Sequence, residues 1–352
     1  MQLIKPETNF DFIGKRKAAF ILSAAMILFS LFSLILHKGP RYGVDFAGGS
    51  QILVSFQQPV DVGQVKSALH RMGLDNTSIQ ESREGQTHLL QIRTIQTFDA
   101  ESGILAALPK GLQETTGLAA EILSVDMVGP QVSKDLRSQA LYALFYALLF
   151  IMVYISGRFE MKWILSGAVA GVFIGVVYLF PQIMENLFKI TLPVPMLILA
   201  ALILSLAVFW KLKLAYAMGA AIALIHDVII TVGLFSVLDI EFNLPIIAAI
   251  LTIIGYSLND TIIIFDRVRE NLPGRGKKSF AAILNQSINE TLSRTLLTSG
   301  TTLIVLVTLF LLGGGIIHDF SRALLVGVVV GTYSSIFVAC PILLLWQKKQ
   351  AT

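Results

Sequence analysis

The sequence predicts an α-helical polytopic membrane protein with one α+β, ferredoxin-like extracytoplasmic domain between its first and second membrane helices. Three observations predict it. Of 352 residues, 55% are apolar and 14% are charged, where a soluble domain carries about 25% charge. The mean hydropathy is +0.73. Eight apolar runs interrupt the chain, each near the roughly 20 helical residues that cross a hydrocarbon core about 30 Å thick. Together these exclude a water-soluble globular protein, a disordered chain and a collagen-like one. The net charge of +4 gives no reason to expect nucleic acid. Cys340 is the one cysteine and lies in an apolar run, so neither a disulfide framework nor a metal cluster is expected.

The runs are residues 18–36, 138–156, 163–180, 192–210, 214–238, 244–265, 295–312 and 323–346. The first follows Lys15-Arg16-Lys17, like the basic end of a signal peptide, but continues into His37-Lys38-Gly39-Pro40 without a small-residue cleavage site. It reads as an uncleaved anchor. Basic residues gather on the cytoplasmic side of membrane proteins. With residues 1–17 in the cytoplasm, that side also holds Arg158, Lys162, Lys211, Lys213, Lys348 and Lys349. The loop 266–294 adds Arg267, Arg269, Arg275, Lys277, Lys278 and Arg294, against only Lys189 in the short outer loops 181–191, 239–243 and 313–321. Both termini, including the tail 347–352, are therefore expected in the cytoplasm.

Residues 37–137 are the long polar insert. Gly43–Phe56 and residues 78–83, 87–94 and 120–128 read as strands rich in Val, Ile, Leu and Thr. Asp61–Met72 places Val62, Val65, Ala68, Leu69 and Met72 at helical spacing, and residues 99–115 read as a second helix. The order β-α-β-β-α-β is the ferredoxin-like split, a fold that hosts many functions. Asp45, beside Gly48 and Gly49, stands where the chain leaves the membrane. Glycines there suit a bulge or a close backbone approach, so these three residues are read as a hinge between domain and membrane.

Ionisable groups inside apolar runs are costly and mark functional sites. His226 and Asp227 lie well inside the fifth run, Asn259 and Asp260 inside the sixth, and Arg294 opens the seventh. Thr298, Thr301 and Thr302 follow Arg294 at positions that extend one polar face. Burial raises a carboxyl pKa and a nearby guanidinium lowers it again, so an acid between the two influences can load and release a proton. These residues are read as a proton relay, with His226 as a partner of Asp227 and with Asp260 paired to Arg294. The bland alternative is polar packing between helices.

Gly167, Gly171 and Gly175, and again Gly327 and Gly331, repeat the spacing that lets helices approach closely. They are read as packing. After Pro273-Gly274-Arg275-Gly276 the loop 266–294 resumes with Phe280, Ile283, Leu284, Ile288 and Leu292 on one side, as an amphipathic helix on the membrane surface. Residues 274–279 do not match a P-loop, and no nucleotide motif is present. Work by such a protein would draw on an ion gradient or a partner.

Several stretches then stand in a recognisable order. They are Gly43-Val-Asp-Phe-Ala-Gly-Gly49, Val128-Gly-Pro130, His226-Asp-Val-Ile-Ile-Thr231 and Gly255-Tyr-Ser-Leu-Asn-Asp260, then Phe265-Asp-Arg-Val-Arg-Glu-Asn271 and Ser293-Arg-Thr-Leu-Leu-Thr-Ser-Gly-Thr-Thr302. Spread over nearly the whole chain, they resemble the SecF branch of the SecD/SecF family of bacterial protein-export subunits, within the resistance-nodulation-division superfamily. The resemblance implies an auxiliary inner-membrane subunit, not an enzyme. Such a subunit pairs with SecD, docks on the SecYEG channel and assists late translocation of unfolded preproteins by the proton-motive force. Protons are its coupling ion and no cofactor is implied; the lipid bilayer surrounds it. The family's intramembrane acid and arginine fall on Asp260 and Arg294, and its His-Asp pair on His226-Asp227. Relatives have six membrane helices, so residues 163–210 are an apparent two-helix insertion, which preserves topology because it is even. Two other classes fit less well. A small-molecule exporter of the superfamily carries two six-helix halves, and an intramembrane aspartyl protease carries a G-x-G-D run, which is absent here. A purely structural scaffold for SecD also remains compatible with the residues.

Overall fold

The computed structural model describes residues 9–74, 77–84, 87–98, 103–189, 192–274, 276 and 278–348. Lys5, Arg275, Lys277 and Lys349 of the charge tally, the start of the second domain helix at 99–102, and most of the tail lie outside the described residues. Among these, eight helices are long and apolar enough to cross a membrane. In chain order, α1 (Arg16–Leu36) leads to a short helix α2 (Val44–Ala47), β1 (Gly49–Phe56), α3 (Val62–Arg71), β2 (Thr77–Glu84), β3 (Thr87–Thr94), α4 (Gly103–Thr116) and β4 (Ala120–Val128). The remaining spans are α5 (Pro130–Glu160), α6 (Trp163–Phe188), α7 (Val194–Lys211), α8 (Ala215–Val237), α9 (Leu244–Asn271) and α10 (Phe280–Leu312). The last span joins α11 (Gly315–Ser334), a π-helical turn (Ser335–Ala339) and α12 (Cys340–Lys348).

The domain between α1 and α5 has the expected split topology. Its antiparallel sheet runs β2-β3-β1-β4. Ile52, Val54, Phe56, Leu90 and Ile92 point from one face of the sheet onto Val65, Leu69, Leu108 and Leu112 of α3 and α4. Strand alternation sends Gln51, Gln91 and Arg93 to the other face. One element differs from expectation. The first strand does not begin at Gly43: residues 44–47 make a helical turn, and Gly48 and Gly49, at φ +80° and +116°, reverse the chain into β1. The turn is closed by the Ala47 N–H on the Gly43 carbonyl at 2.8 Å and the Gly48 N–H on that of Val44 at 2.9 Å, and its Asp45 accepts a hydrogen bond from the Leu244 N–H in the first turn of α9 at 2.9 Å. A Cβ on Gly49 would overlap the Thr94 carbonyl.

Several other boundaries move in the same direction, toward longer helices. α5 begins at Pro130 rather than 138 and the last span at Gly315 rather than 323. α9 and α10 extend to Asn271 and back to Phe280, so the loop 266–294 contains no separate surface helix. Polar pairs hold the extensions together beyond the apolar zone: Arg267 with Glu290 at 2.5 Å, and Asn271 with Ser287 and Glu290 at 3.0 and 2.9 Å. The apolar side anticipated there is real, but Ile283, Leu284 and Ile288 bury it against the bundle. The N-terminal segment also ties down this region. Asn285 accepts from the N–H groups of Phe12 and Ile13, and Asn289 from that of Phe10.

Small residues pack the centre. α8 is buried on all sides through Ala217, Gly219, Ala220, Ala221 and Ala223, which lets its neighbours approach closely. A Cβ on Gly233 would collide with Ser30 of α1, and one on Gly327 of α11 with Ile253 of α9. The second of the two glycine series is therefore packing, as expected. The first is not: a Cβ on Gly167, Gly171 or Gly175 would meet nothing within 4 Å. α6 and α7 stand at the edge of the bundle against α5, and the glycine face of α6 turns away from it. All three tryptophans, Trp163, Trp210 and Trp346, lie at helix ends remote from the domain, as an interfacial belt does.

The domain is clasped by the α8–α9 connection. The Gly43 N–H donates to the Phe242 carbonyl at 2.7 Å and the Phe242 N–H to that of Arg41 at 2.6 Å. Glu241 accepts from Arg93 of β3, lies 3.4 Å from the Arg41 guanidinium, and accepts from the Ser78 hydroxyl of β2 at 3.4 Å. Arg137 of α5 donates to the Phe46 carbonyl and lies over the Tyr42 ring, 4.6 Å from its centroid.

Candidate functional site

Two buried carboxyls occupy adjacent helices at the core of the bundle. Asp227 of α8 is fully enclosed. One oxygen lies 2.9 Å from His226 Nδ1, and the other accepts from Ser257 of α9 at 2.6 Å and from Ser334 of α11 at 2.8 Å. The chain of contacts continues outward. His226 Nε2 lies 3.2 Å from the Ser23 hydroxyl of α1, which is 3.1 Å from that of Tyr333; the Tyr333 hydroxyl donates to the Ala19 carbonyl at 2.8 Å. His226 is thus a partner of Asp227, and its ring also stacks with Tyr333. Ser334 is the residue at which the helix widens into its π turn, a local feature common at functional positions.

Asp260 of α9 is as buried as Asp227, at 1% exposure, yet differently supplied. Its Oδ2 receives a long bond of 3.4 Å from Ser299 of α10, whose hydroxyl lies 2.8 Å from that of Thr332 on α11. Its Oδ1 has no hydrogen-bond partner. A buried polar atom of that kind costs on the order of 1–3 kcal/mol unless water, a proton or a further group meets it.

Two expectations are corrected at this point. Arg294 does not open a helix: it lies in the middle of α10, exposed, and forms no direct ion pair with Asp260, although its charge still acts on that carboxyl from a distance. The reason is rotational. Ser299 faces the bundle, and Arg294, five positions earlier, is carried about 140° around the helix at 3.6 residues per turn. The polar face on Thr298, Thr301 and Thr302 is not an inner surface either. Their hydroxyls bond back to Arg294, Leu297 and Thr298 carbonyls of their own helix, and Thr301 is exposed. Thr302 alone reaches across, accepting from the Tyr256 hydroxyl of α9 at 3.2 Å. Asn259 faces outward next to Asp260. Asn259 of α9 and Arg294 of α10 thus both face the outside of the bundle.

The serines that supply both acids were not singled out in the sequence. Ser257, Ser299 and Ser334 are common residues in apolar helices, and only the pairing of α9 with α10 and α11 reveals them. A spacing signal was present: Ser257 lies three residues before Asp260 and so on a neighbouring stripe of α9. Asp45, Gly48 and Gly49, read from the sequence as a hinge, lie at the base of the domain, away from both acids, but Asp45 touches the helix that carries Asp260. Among the described residues, no cluster of three His, Cys, Asp or Glu side chains could hold a metal.

The chain was then compared with known proteins. Residues 109–192 and 181–349 match the family model "Protein export membrane protein SecD/SecF, C-terminal", and residues 33–60 match the "SecD/SecF GG Motif", which contains Gly48 and Gly49. The two long matches overlap over residues 181–192, from the last turns of α6 onward. The chain is 37% identical to the protein translocase subunit SecF of Desulfurispirillum indicum over 96% of its own length and 92% of that protein. It is 38% identical to the corresponding subunit of Magnetococcus marinus, over 98% and 94%. Among solved structures, SecDF of Thermus thermophilus, described as a translocon-associated membrane protein, superposes with a TM-score of 0.68 at 29% identity. That match covers 99% of this chain and 40% of the SecDF chain. A SecDF structure in a super-membrane-facing form gives 0.56 at 26% identity.

Proposed function

We propose that this chain, which belongs to the SecD/SecF family of protein-export membrane proteins, is an auxiliary subunit of the Sec translocase that uses the proton-motive force. In this reading it works with a SecD partner beside the SecYEG channel and assists late translocation of unfolded preproteins across the bacterial inner membrane. The basic residues at the helix ends remote from the domain support an orientation with both termini in the cytoplasm and the domain outside. The exposure of Arg294 on α10 and Asn259 on α9 supports a membrane partner, because either residue on a lipid-facing surface would be costly. That the chain spans 40% of the SecDF chain it resembles is consistent with a partner that supplies the rest.

The observation that carries the reading is the open oxygen of Asp260. A carboxyl buried without full hydrogen bonding is stabilised by taking up a proton. When the proton leaves, the charge must find Arg294, water or a partner group. The two protonation states therefore favour two arrangements of α9 against α10, and Asp45 connects α9 to the outer domain. Such a two-state element can be biased by a proton gradient and read out as rigid-body motion. Arg294 faces outward in the state described, so it acts at the partner interface in this cycle, not as a fixed counter-ion. Protons are the only coupling species required, and no cofactor enters.

The test is export into sealed vesicles with the gradient on and off. Asp260→Asn, which stands in for the protonated acid, is expected to assemble with its partner but lose gradient stimulation. Arg294→Lys keeps the charge without the planar fork and is expected to retain part of it. Equal stimulation in Asp260→Asn and the parent would leave Asp260 as packing.

A further inference from the structure

The contacts that run outward from Asp227 and His226 end on a group that can only accept. The Tyr333 hydroxyl lies 2.8 Å from the Ala19 carbonyl of α1, and a carbonyl oxygen has no proton to give. Two oxygens at that separation attract only with a hydrogen between them, so the Tyr333 proton points at Ala19. This one placement orders the rest. A phenol has a single proton, and with it spent on Ala19 the Ser23 hydroxyl, 3.1 Å away, must donate to Tyr333. Ser23 then has none left for His226 Nε2 at 3.2 Å. The hydrogen of that contact belongs to Nε2, which donates to Ser23.

The other side of the pair is ordered in the same way. Asp227 Oδ2 accepts from Ser257 at 2.6 Å and from Ser334 at 2.8 Å, so no hydrogen of its own is needed there. What remains is the 2.9 Å contact between Asp227 Oδ1 and His226 Nδ1, which also requires one hydrogen. Resting on Oδ1, it makes a carboxylic acid beside a neutral imidazole. Resting on Nδ1, it makes a carboxylate beside an imidazolium. Both forms hold the same number of protons and have no net charge.

The state with one proton fewer is a carboxylate beside an imidazole protonated at Nδ1 alone. Its bare Nε2 would face the Ser23 oxygen with no hydrogen between them. It would also leave a net negative charge between buried side chains, and among the described residues no lysine or arginine pairs with Asp227. A buried charge without a counter-ion is costly, and within a membrane more so.

We infer that Ser23 and Tyr333 are positioning residues that hold His226 and Asp227 as a net-neutral pair with one retained proton between them. A proton that moves along hydrogen bonds is handed on by each group in turn, and the Ala19 carbonyl cannot hand it on. The pair is therefore a fixed part of the bundle, through which one ordered network joins α1, α8, α9 and α11. In the proposed cycle this leaves Asp260 as the acid that loads and releases a proton, and only this last step rests on the export reading.

Nitrogen NMR tests the ordering directly. The full chain, carrying isotope-labelled histidine, is reconstituted with an unlabelled partner in lipid bilayers at neutral pH, and the His226 signals are assigned by their loss in His226→Gln. A single His226 species with a proton on Nε2 is expected; a bare Nε2 would overturn the inference. Tyr333→Phe removes the oxygen to which Ser23 donates, so Ser23 is free to turn toward Nε2. A second His226 signal with Nε2 bare should then appear in a chain that accumulates as the parent does. An unchanged spectrum in this variant would strip Tyr333 of the role.

Export into sealed vesicles gives the second measurement. In Asp227→Asn the amide N–H can donate to His226 Nδ1 as the protonated acid does, so the on/off gradient ratio should match that of the parent. A proton carrier at this position would lose stimulation, as Asp260→Asn is expected to. Loss of stimulation in an Asp227→Asn chain of normal abundance therefore counts against the fixed pair. If the parent itself shows no stimulation, the proposed function fails, and the nitrogen spectrum decides the state of the pair by itself.

Discussion

Asp227 and Asp260 lie on neighbouring helices, are equally withdrawn from solvent, and share α9 and α11 as walls. They differ in supply. Asp227 has a donor on each side, one from its own helix and two from helices packed against it. Asp260 has one long bond and one bare oxygen. The first arrangement resembles a keystone, in which the carboxyl holds α8, α9 and α11 in register. The second leaves one carboxyl oxygen unmet. In the proposed cycle it is this deficit of hydrogen bonds, not burial, that sets Asp260 apart from Asp227.

The largest effect is expected where the supply is complete. Asp227→Ala leaves His226 Nδ1 and Ser257 without their acceptor, while the Ser334 hydroxyl keeps the Gly331 carbonyl at 3.1 Å. At about 1–3 kcal/mol for each buried group left unpaired, the loss is at least about 2 kcal/mol. A large fall in Tm and in membrane abundance should follow, measured on the chain solubilised with its partner. Asp260→Asn should behave in the opposite way, with near-parental abundance and no gradient stimulation. If Asp227→Ala folds normally, or Asp260→Asn does not accumulate, the roles assigned to the two acids are exchanged.

An intermediate effect separates the long Ser299 bond from the threonines beside it. Ser299→Ala removes the one hydroxyl that reaches Asp260, so it should alter gradient stimulation while costing about 1 kcal/mol of stability or less. Thr301→Val replaces a hydroxyl that only bonds its own helix, and export should be unchanged in the same vesicle assay. Equal consequences from both would mean that the hydroxyl face of α10, not the Asp260 contact, matters.

Much of this was legible in the sequence because membrane constraints are strong. A charge inside an apolar run is conspicuous, so His226, Asp227 and Asp260 could be found without a structure, as could the order of the ferredoxin-like elements from Val, Ile and Leu alternation. Helix ends were less legible. Hydropathy marks where the lipid stops, and α10 continues past that point because Asn271, Glu290 and Arg267 replace lipid contact by polar pairing. That extension placed Arg294 in mid-helix. Helix rotation was least legible: whether Thr298 or Ser299 faces Asp260 depends on how α10 rolls against α9 and α11, and both are small hydroxyl residues one position apart. The glycine series show the same limit, since Gly327 and Gly171 follow one spacing rule but only one of them meets a neighbour.

Those glycines test whether the seam holding the acids is the rigid part of the bundle, and the smallest expected effect is that of Gly171. A Cβ on Gly331 would come within 2.8 Å of that of Ser257, the residue that donates to Asp227. Gly331→Ala must therefore shift Ser257 or the helix behind it, and overpacking of this kind costs about 1–3 kcal/mol. On α6 the same substitution meets open space. Gly171→Ala should change stability by no more than about 1 kcal/mol, in the favourable direction if the helix-propensity difference dominates. Thermal unfolding of each variant in detergent measures both. The assembled translocase supplies a sharper version: if Gly171→Ala is neutral in the isolated chain but weakens recovery of the complex, the glycine face of α6 receives a helix from another subunit. If it is neutral in both, α6 and α7 face lipid, and the working parts of the molecule are confined to the seam of α8, α9, α10 and α11.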